Sequence, residues 1–213
     1  MGKLEDKLMI KLHLGCGERN FGDEWTHIDG GNFDHLDSHS ITDLDFEDNS
    51  VDLIYASHVL EYFDRDEVIV VLKEWHRVLK MGGTLRIAVP NFEELSRLYL
   101  AQHIPLEGIL GPIFGKWQMG DETIYHKTTY DRRSLGMLLR ACGFDKEKRY
   151  RWQDTEHSEF DDHSQAYMCP NGDKENGSLI SLNMECKKIE WSKRDVKLEN
   201  LVTGKRRVKY DEL

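Results

Sequence analysis

The sequence predicts an α/β fold in which a doubly wound, mostly parallel sheet ends in an antiparallel strand. Short apolar runs recur in the N-terminal half without apolar–polar alternation, which is typical of parallel strands buried on both faces. Stretches with apolar residues at helical spacing lie between and after these runs, and strands that alternate with helices favour a parallel sheet. A chain of 213 residues is long enough for one such domain to bury a sizeable core.

Four apolar runs are the predicted parallel strands, and they lie at residues 8–14, 25–28, 51–56 and 84–89. Residues 64–79 carry apolar side chains at i, i+3, i+4 and i+7, which predicts an amphipathic helix packed on the sheet. The segments after the first two strands are short, so we expect shortened helices there.

The C-terminal half supplies two more helices and the last strands. The predicted helices are residues 92–102 and 132–142, and the predicted antiparallel strands are residues 144–153 and 179–188. Residues 103–129 break the pattern with proline and glycine, which indicates an insertion that could act as a substrate lid. We assign residues 1–190 to one domain, with a polar loop at 161–177, and residues 191–213 to a charged C-terminal tail.

The composition excludes several classes of protein. The formal net charge is -10, from 39 acidic and 29 basic residues, which argues against a nucleic-acid substrate. The four cysteines form no CxxC pair, so we expect free thiols in a reducing compartment. We find neither a signal peptide nor an apolar run long enough for a membrane span, and we expect a cytoplasmic protein.

The ends of the first two strands carry the residues that point to a ligand. Gly15 and Gly17 form a Gly-x-Gly turn, which lets the backbone approach a ligand closely. Asp29 ends the second strand, where a carboxylate can accept hydrogen bonds from both hydroxyls of a ribose. A dinucleotide site would need a third glycine, which is missing, and the carboxylate of Glu18 disfavours phosphate. The ligand is therefore predicted to contain a ribose without a pyrophosphate at this turn.

Several motifs in order resemble those of class I S-adenosylmethionine-dependent methyltransferases, which have a Rossmann-like sheet. They lie at residues 12–17 (LHLGCG), 27–29 (HID), 43–61, 78–90 and 138–144. The resemblance covers about residues 10 to 150 and implies S-adenosylmethionine as cofactor and S-adenosylhomocysteine as product. The short connections resemble a compact bacterial-type subgroup associated with polysaccharide and lipopolysaccharide biosynthesis.

The resemblance also implies a role for individual positions. The implied cofactor-binding residues are Leu14, Gly15, Cys16, Gly17, Asp29, Gly30, Asp43, Leu44, Ser57 and His58. Asp29 would hold the ribose, Asp43 would face the adenine amino group, and Leu44 would pack on the adenine ring. Ser57 and His58 would lie at the mouth of the site, although each also has a purely structural interpretation.

Methyl transfer to a hydroxyl group is helped by a general base, and histidine suits that task at neutral pH. The candidate catalytic residues are His58 and His126, while Glu61 is interpreted as a helix cap. Residues 157–163 contain possible metal ligands, but we favour a solvated polar loop at the substrate rim and assign no metal site. Four aromatic residues are candidates for stacking on the acceptor: Trp117, Tyr125, Tyr130 and Trp152.

The sequence leaves the acceptor open. We favour O-methylation of a saccharide or glycan intermediate. A small-molecule or peptide methyltransferase is one alternative, and a non-catalytic binding or regulatory protein with the same fold is another. The oligomeric state is not predicted.

Overall fold

The computed structural model describes residues 9–119, 122–168 and 173–190. Its strands are β1 (Lys11–Leu14), β2 (Trp25–Ile28), β3 (Val51–Ser57), β4 (Leu79–Pro90), β5 (Trp117–Met119), β6 (Glu122–Ile124), β7 (Phe144–Arg149), β8 (Tyr167–Met168), β9 (Ser178–Leu179) and β10 (Ser181–Lys188). Its α-helices are α1 (Glu67–Val78), α2 (Phe92–Leu100), α3 (Leu106–Phe114) and α4 (Arg132–Ala141). The assigned tail at 191–213 lies outside the described residues.

The central sheet has six strands in the order β2-β1-β3-β4-β10-β7. The first four strands are parallel, and β10 runs antiparallel to both β4 and β7. This arrangement confirms the predicted fold class. The chain winds outward from β1 to β2 and then returns to β3 on the other side of β1, so the carboxyl ends of β1 and β3 form a topological switch point, where α/β folds bind ligands.

The connections after β1 and β2 differ more from a doubly wound fold than the sequence predicts. Residues 15–24 and 29–50, which are all described, contain turns and bends but no helix. A single parallel bridge between Ile28 and Ser38 extends the sheet beyond β2. The expected shortened helices are therefore absent, because each segment is used to reach the next strand.

The helix-covered face of the sheet packs against α1 and α4. Its strand side chains are nearly all aliphatic and buried: Leu12, Leu14, Ile28, Ile54, Ala56, Leu85, Ile87, Val89, Leu182 and Met184. Helix α1 buries the residues that its periodicity predicts, including Leu72 and Trp75, and α4 buries Leu135 and Leu139. Asp131 caps α4 by accepting a hydrogen bond from the Ser134 amide at 2.7 Å, which satisfies one of the free amides of the first turn.

The loop-covered face of the sheet carries rings and polar groups. Its strand side chains are His13, Trp25, His27, Tyr55, Arg86, Asn183 and Glu185, and these alternate along each strand with the aliphatic set. Phe21 from the loop after β1 stacks on His13 at a ring distance of 3.9 Å, and His157 lies 4.1 Å from the Tyr55 ring. Loops thus cover the face where the expected helices are missing.

Residues 157–163 form the solvated loop that the sequence suggests only in part, because residues 159–161 and His163 are exposed whereas two other residues are buried. His157 and Asp162 are buried, because they pack under the loop-covered face. The Asp162 carboxylate accepts a hydrogen bond from the Tyr55 hydroxyl, and the following residues His163–Gln165 form a 3₁₀ turn. The expected polar loop at 161–177 therefore includes the buried residues Asp162, Ser164 and Gln165 and contains β8.

Some boundaries also shift. Strand β4 begins at Leu79 directly after α1, before the predicted start at residue 84, and it passes through Gly82 and Gly83. Within residues 103–129, α3 is followed by a short hairpin of β5 and β6. No helix in the described part of the chain is long and apolar enough to cross a membrane. Three cysteines are free and buried, namely Cys16, Cys142 and Cys186.

Candidate active site

The Gly-x-Gly turn after β1 has the backbone conformation that glycine favours. Gly15 has φ of +66° and Gly17 has φ of +56°, both in the left-handed region. A Cβ at Gly15 would overlap the Val59 side chain, so only glycine allows this close approach between the turn and the segment after β3. The turn therefore lies tightly against the carboxyl ends of β1 and β3.

Asp29 is half-buried and holds the backbone on both sides of the predicted ribose site. Its Oδ2 accepts a hydrogen bond from the Gly17 amide at 2.8 Å, and its Oδ1 accepts one from the Gly31 amide at 2.7 Å. A carboxylate has about four acceptor positions, so each oxygen keeps one for a hydroxyl group. These residues fit the ribose of S-adenosylmethionine.

The predicted adenine residues have different environments. Asp43 is exposed, as an adenine contact requires. The Leu44 side chain is only 3% exposed and packs in the core beneath α1. The predicted packing of this side chain on the adenine ring is therefore not available, and Leu44 can line the site only with its backbone. Arg77 donates hydrogen bonds to the carbonyls of Leu44 and Phe46 and thereby fixes this loop on α1.

Ser57 and His58 lie at the carboxyl end of β3. His58 has φ of +55°, a conformation that is uncommon outside glycine and that clusters at functional sites. Its amide donates to the Ala88 carbonyl at 2.8 Å, and its Nε2 lies 3.2 Å from Ser181 Oγ. The buried Ser57 hydroxyl has no hydrogen-bond partner among the described residues.

Glu61 joins the two candidate catalytic histidines, a role that the sequence did not reveal. Its side chain is fully buried, with Oε1 at 3.3 Å from His58 Nδ1 and 3.9 Å from His126 Nε2. Burial raises the pKa of Glu61 to about 8 and lowers the pKa values of both histidines. The i, i+3 spacing of His58 and Glu61 was the only signal in the sequence.

His126 is fixed at the end of the insertion. Its Nδ1 lies 3.1 Å from the Pro112 carbonyl, and a Cβ at Gly115 would overlap its ring. The next two amides, those of Lys127 and Thr128, donate to the Glu61 carbonyl. These contacts bring His126 next to Glu61 even though the two are far apart in sequence.

The insertion also reaches the other end of the candidate cofactor site. A Cβ on Gly30 would lie 2.9 Å from Met119 Sδ, so Met119 on β5 contacts the backbone directly after Asp29. Trp117 and Tyr125 on the same hairpin are exposed, whereas Tyr130 is buried in the core and Trp152 is half-buried. Two of the four aromatic candidates are therefore available for stacking on an acceptor.

The possible metal ligands at 157–163 are separated by the fold. His157 packs among the rings of the loop-covered face, whereas the His163 ring lies 5.1 Å from the His58 ring. Across residues 9–119, 122–168 and 173–190, no three His, Cys, Asp or Glu side chains converge in a way that could hold a metal ion.

Comparisons with known proteins agree with this architecture. Residues 19–87 match the family model described as "Methyltransferase domain". A demethylmenaquinone methyltransferase of Staphylococcus haemolyticus is 31% identical over 122 residues, which are 54% of this chain and 49% of that protein. The chain thus spans about half the length of this curated relative.

Solved structures show the same fold at low sequence identity. A methyltransferase from Archaeoglobus fulgidus has a TM-score of 0.53 at 16% identity, over 85% of this chain and 87% of its own. One from Methanosarcina mazei has a TM-score of 0.50 at 19% identity, with coverages of 84% and 92%. The complex of DhpI with S-adenosylhomocysteine has a TM-score of 0.51 at 13% identity, with coverages of 85% and 77%.

The chain has the fold of class I S-adenosylmethionine-dependent methyltransferases. The matched domain is described as a methyltransferase domain, the curated relative is a methyltransferase, and the DhpI structure holds S-adenosylhomocysteine. None of the proteins described above is named for a saccharide, and the polysaccharide subgroup stays a prediction.

Proposed function

We propose that the protein is an S-adenosylmethionine-dependent methyltransferase that methylates a hydroxyl group, with a saccharide or glycan intermediate as acceptor. The observation that carries this proposal is the position of Asp29, which bridges the Gly17 and Gly31 amides and keeps acceptor positions for a ribose. Val59 packs against Gly15 of the turn, and the imidazoles of its neighbour His58 and of His126 both lie beside Glu61. These imidazoles support an oxygen acceptor, because a hydroxyl needs a base whereas many other acceptors do not.

The roles of the residues follow from their positions. When bound, S-adenosylmethionine supplies a methyl group on a sulfonium that a nucleophilic oxygen displaces in line. Asp29 would hold the ribose, the Gly15–Gly17 turn would pass beside the methionine portion, and Gly30 would line the ribose end. The side chains of Leu14 and Cys16 are buried in the protein, so these two predicted residues would contribute only their backbone. Asp43 would contact the adenine, and Ser57 with His58 would border the methyl group. Most of the rate enhancement would come from positioning the acceptor.

The insertion at 103–129 is proposed to be a substrate lid. Its hairpin contacts Gly30 through Met119, and its end is held at Glu61 by two backbone hydrogen bonds. It therefore crosses the candidate site from the ribose end to the histidines. Exposed Trp117 and Tyr125 would offer stacking surfaces to a sugar ring.

A second candidate acceptor is an apolar ring compound. The curated relative is a demethylmenaquinone methyltransferase. Helix α3 exposes an apolar row at i, i+4 and i+8, namely Leu106, Leu110 and Phe114. This row lies within the proposed lid, so it would suit an acceptor with an apolar substituent.

Calorimetric titration with S-adenosylmethionine and S-adenosylhomocysteine tests the cofactor site. We expect the wild type to bind both and Asp29→Asn to lose about 1–3 kcal/mol of binding free energy, as for a lost charge-assisted hydrogen bond. Asp37→Asn is the matched control, because Asp37 also accepts a hydrogen bond from a backbone amide, but from His27 within β2 rather than from the Gly-x-Gly turn. A folded wild type that binds neither compound would overturn the enzyme proposal and favour a binding or regulatory role.

The acceptor is tested by transfer of labelled methyl groups to sugar precursors and to hydroxylated quinone analogues. We expect Trp117→Ala to raise KM for a sugar acceptor, with Leu110→Ser as the control. The reverse pattern, in which Leu110→Ser raises KM for a quinone analogue and Trp117→Ala has no effect, would favour the apolar acceptor.

A further inference from the structure

We propose that Glu61 is a positioning residue that acts through His58 and takes up the proton of the acceptor hydroxyl during methyl transfer. This inference rests on the proposed function and assigns a proton path to the same site. It starts from the carboxyl group of Glu61, which is fully buried and has no hydrogen bond to either oxygen within the described part of the chain. Buried carboxylates ordinarily accept several hydrogen bonds or pair closely with a cation, so this environment favours the neutral acid.

The titratable and charged groups around the Glu61–His58 pair come from four segments of the chain. They are His58 after β3, Tyr62 beside it, and His126 and Tyr130 from the end of the insertion and the segment after it, while His163 and Arg19 face His58 from the loop-covered side. Arg19 is the one permanent cation in this set, and it acts on His58. Nothing in this set therefore stabilises a charge on Glu61 as a lysine or arginine in contact would.

The two histidines are not equivalent toward an acceptor. Both nitrogens of His126 point into the protein, one to the Pro112 carbonyl and one to Glu61, so His126 is suited to anchor the insertion. His58 has Nδ1 toward Glu61, whereas its Nε2 lies near Ser181 Oγ at the carboxyl end of the sheet. His58 is therefore the histidine that can receive a proton from an acceptor at the carboxyl end of the sheet. The acceptor hydroxyl would then take the place of Ser181 Oγ as the hydrogen-bond partner of His58 Nε2.

The proton balance defines the competent state. In the free protein the Ser181 hydroxyl donates to Asn183 Oδ1 at 2.8 Å, so His58 Nε2 carries the proton and donates to Ser181 Oγ, while Nδ1 faces neutral Glu61. In the state that is ready for transfer, the pair has lost one proton: Glu61 is ionised, His58 carries its proton on Nδ1, and Nε2 is free for the acceptor hydroxyl. The acceptor hydroxyl gives its proton to His58 Nε2 as its oxygen lone pair forms the bond to the methyl carbon, and the electrons of the S–C bond pass to sulfur. The Nδ1 proton of His58 then moves to Glu61, and the pair ends as a neutral acid and a neutral imidazole. Such bonds are often long in the free enzyme and tighten with substrate, which suits the present 3.3 Å separation.

Burial stabilises the protonated Glu61 that is present after transfer relative to the ionised Glu61 that is present before it. Because desolvation raises the pKa of Glu61 to about 8, the ionised form is populated only as the pH approaches that value. A proton taken from the acceptor is therefore held by a group that is stable when neutral. We expect kcat to rise with pH through the titration of the His58–Glu61 pair, whose two groups titrate together.

Infrared spectroscopy over a pH series tests the protonation of Glu61 without an acceptor. We expect the carbonyl stretch of a protonated carboxylic acid in the wild type at neutral pH, its loss as the pH rises past about 8, and its absence in Glu61→Gln. Glu24→Gln is the control, because Glu24 is an exposed carboxylate at the surface and its removal leaves the band unchanged. A wild type that lacks this band at neutral pH would overturn the inference.

Catalysis is tested with the same variants once a methyl acceptor is found in the screen above. Glu61→Gln is expected to bind S-adenosylhomocysteine like the wild type and to lower kcat by about 10²-fold or more at unchanged KM. It should also lose the rise of kcat with pH, and Glu61→Asp should restore part of both. A kcat within about 3-fold of wild type with the same pH profile would refute the role, since general base catalysis contributes far more.

Two further outcomes separate this inference from the proposed function. If the wild type fails to bind S-adenosylhomocysteine, the proposed function fails, while the infrared result still decides the protonation of Glu61. If activity disappears with a chelator and returns with an added divalent cation, a cation rather than the His58–Glu61 pair activates the acceptor, and the proton path is overturned.

Discussion

The two faces of the central sheet are built from the same strands but in different ways. On the helix-covered face, Leu12 and Ile54 pack against aliphatic residues of α1 and α4. Their neighbours His13 and Tyr55 point to the loop-covered face and pack against rings carried by loops. The helix-covered face is packed almost entirely with apolar side chains, whereas the loop-covered face combines ring stacking with specific polar contacts.

The difference shows what replaces a missing helix. A helix satisfies its own backbone hydrogen bonds, so an aliphatic stripe is sufficient to attach it to a sheet. A loop has no such internal ladder, and it is held here by directed contacts with strand side chains. Tyr55 donates to Asp162, and Asn183 donates to the Ser164 carbonyl at 2.8 Å. This construction leaves the carboxyl ends of β1 and β3, where the candidate site lies, without an α-helix directly after either strand, and β3 is followed by a short 3₁₀ turn at Leu60–Tyr62.

The largest expected effect is on the helix-covered face. Trp75→Ala should lower the free energy of unfolding by about 3–5 kcal/mol, because it empties the space of a fully buried indole. It also removes the hydrogen bond from Nε1 to the Ile41 carbonyl at 2.8 Å. Urea denaturation with an unchanged m value would measure the loss. A decrease in the free energy of unfolding of less than about 1 kcal/mol would mean that the helix-covered face is less closely packed than the burial of Trp75 indicates.

Acid should weaken the loop-covered face. Burial lowers the pKa of His157 from 6.5 to about 4, so the folded state holds this imidazole neutral. Below pH 6.5 the unfolded chain binds a proton at this imidazole and the folded state does not. The free energy of unfolding is therefore at its full value above pH 6.5 and falls as the pH drops through 4, by about 1.4 kcal/mol for each unit of pKa shift. We expect unfolding free energies of the wild type to fall by roughly 2–3 kcal/mol more than those of His157→Phe over this range.

An exposed histidine provides the control for this pH effect. His39→Gln removes an exposed imidazole, and its stability should follow the wild type over the same pH range. Hydrogen exchange should show that the acid-dependent opening is confined to the loop-covered face. If His157→Phe loses as much stability in acid as the wild type, other groups control the acid response.

The sequence predicted the helix-covered face well because its signal is local. The periodicity of residues 64–79 gave the buried side chains of α1, including Trp75, and the Gly-x-Gly turn with Asp29 gave the candidate cofactor site. The loop-covered face depends on which distant loop meets which strand. The polar stretch at 157–163 resembled a solvated loop, and nothing in its composition showed that His157 would stack on Phe21.

Glu61 illustrates the same limit at the candidate site. Its burial arises because the segment at Lys127 and Thr128 returns to hydrogen-bond its carbonyl. That contact joins the segment after β3 to the end of the insertion, across α1, β4 and α2, and no local pattern encodes it. A residue that resembled a helix cap in the sequence is therefore a buried acid between two histidines.

The smallest expected effect tests whether the loop-covered face depends on a specific polar contact. Tyr55→Phe removes the hydroxyl that donates to Asp162 at 2.5 Å and leaves the buried ring in place, so we expect a loss of about 1–3 kcal/mol. A double-mutant cycle with Asp162→Asn isolates the pair, and a coupling energy above about 0.5 kcal/mol would show that the two groups act together. Additive effects would instead mean that ring stacking alone holds the loop. The two faces would then differ only in the kind of side chains that pack there, rings on one and aliphatic groups on the other, and not in their polar contacts.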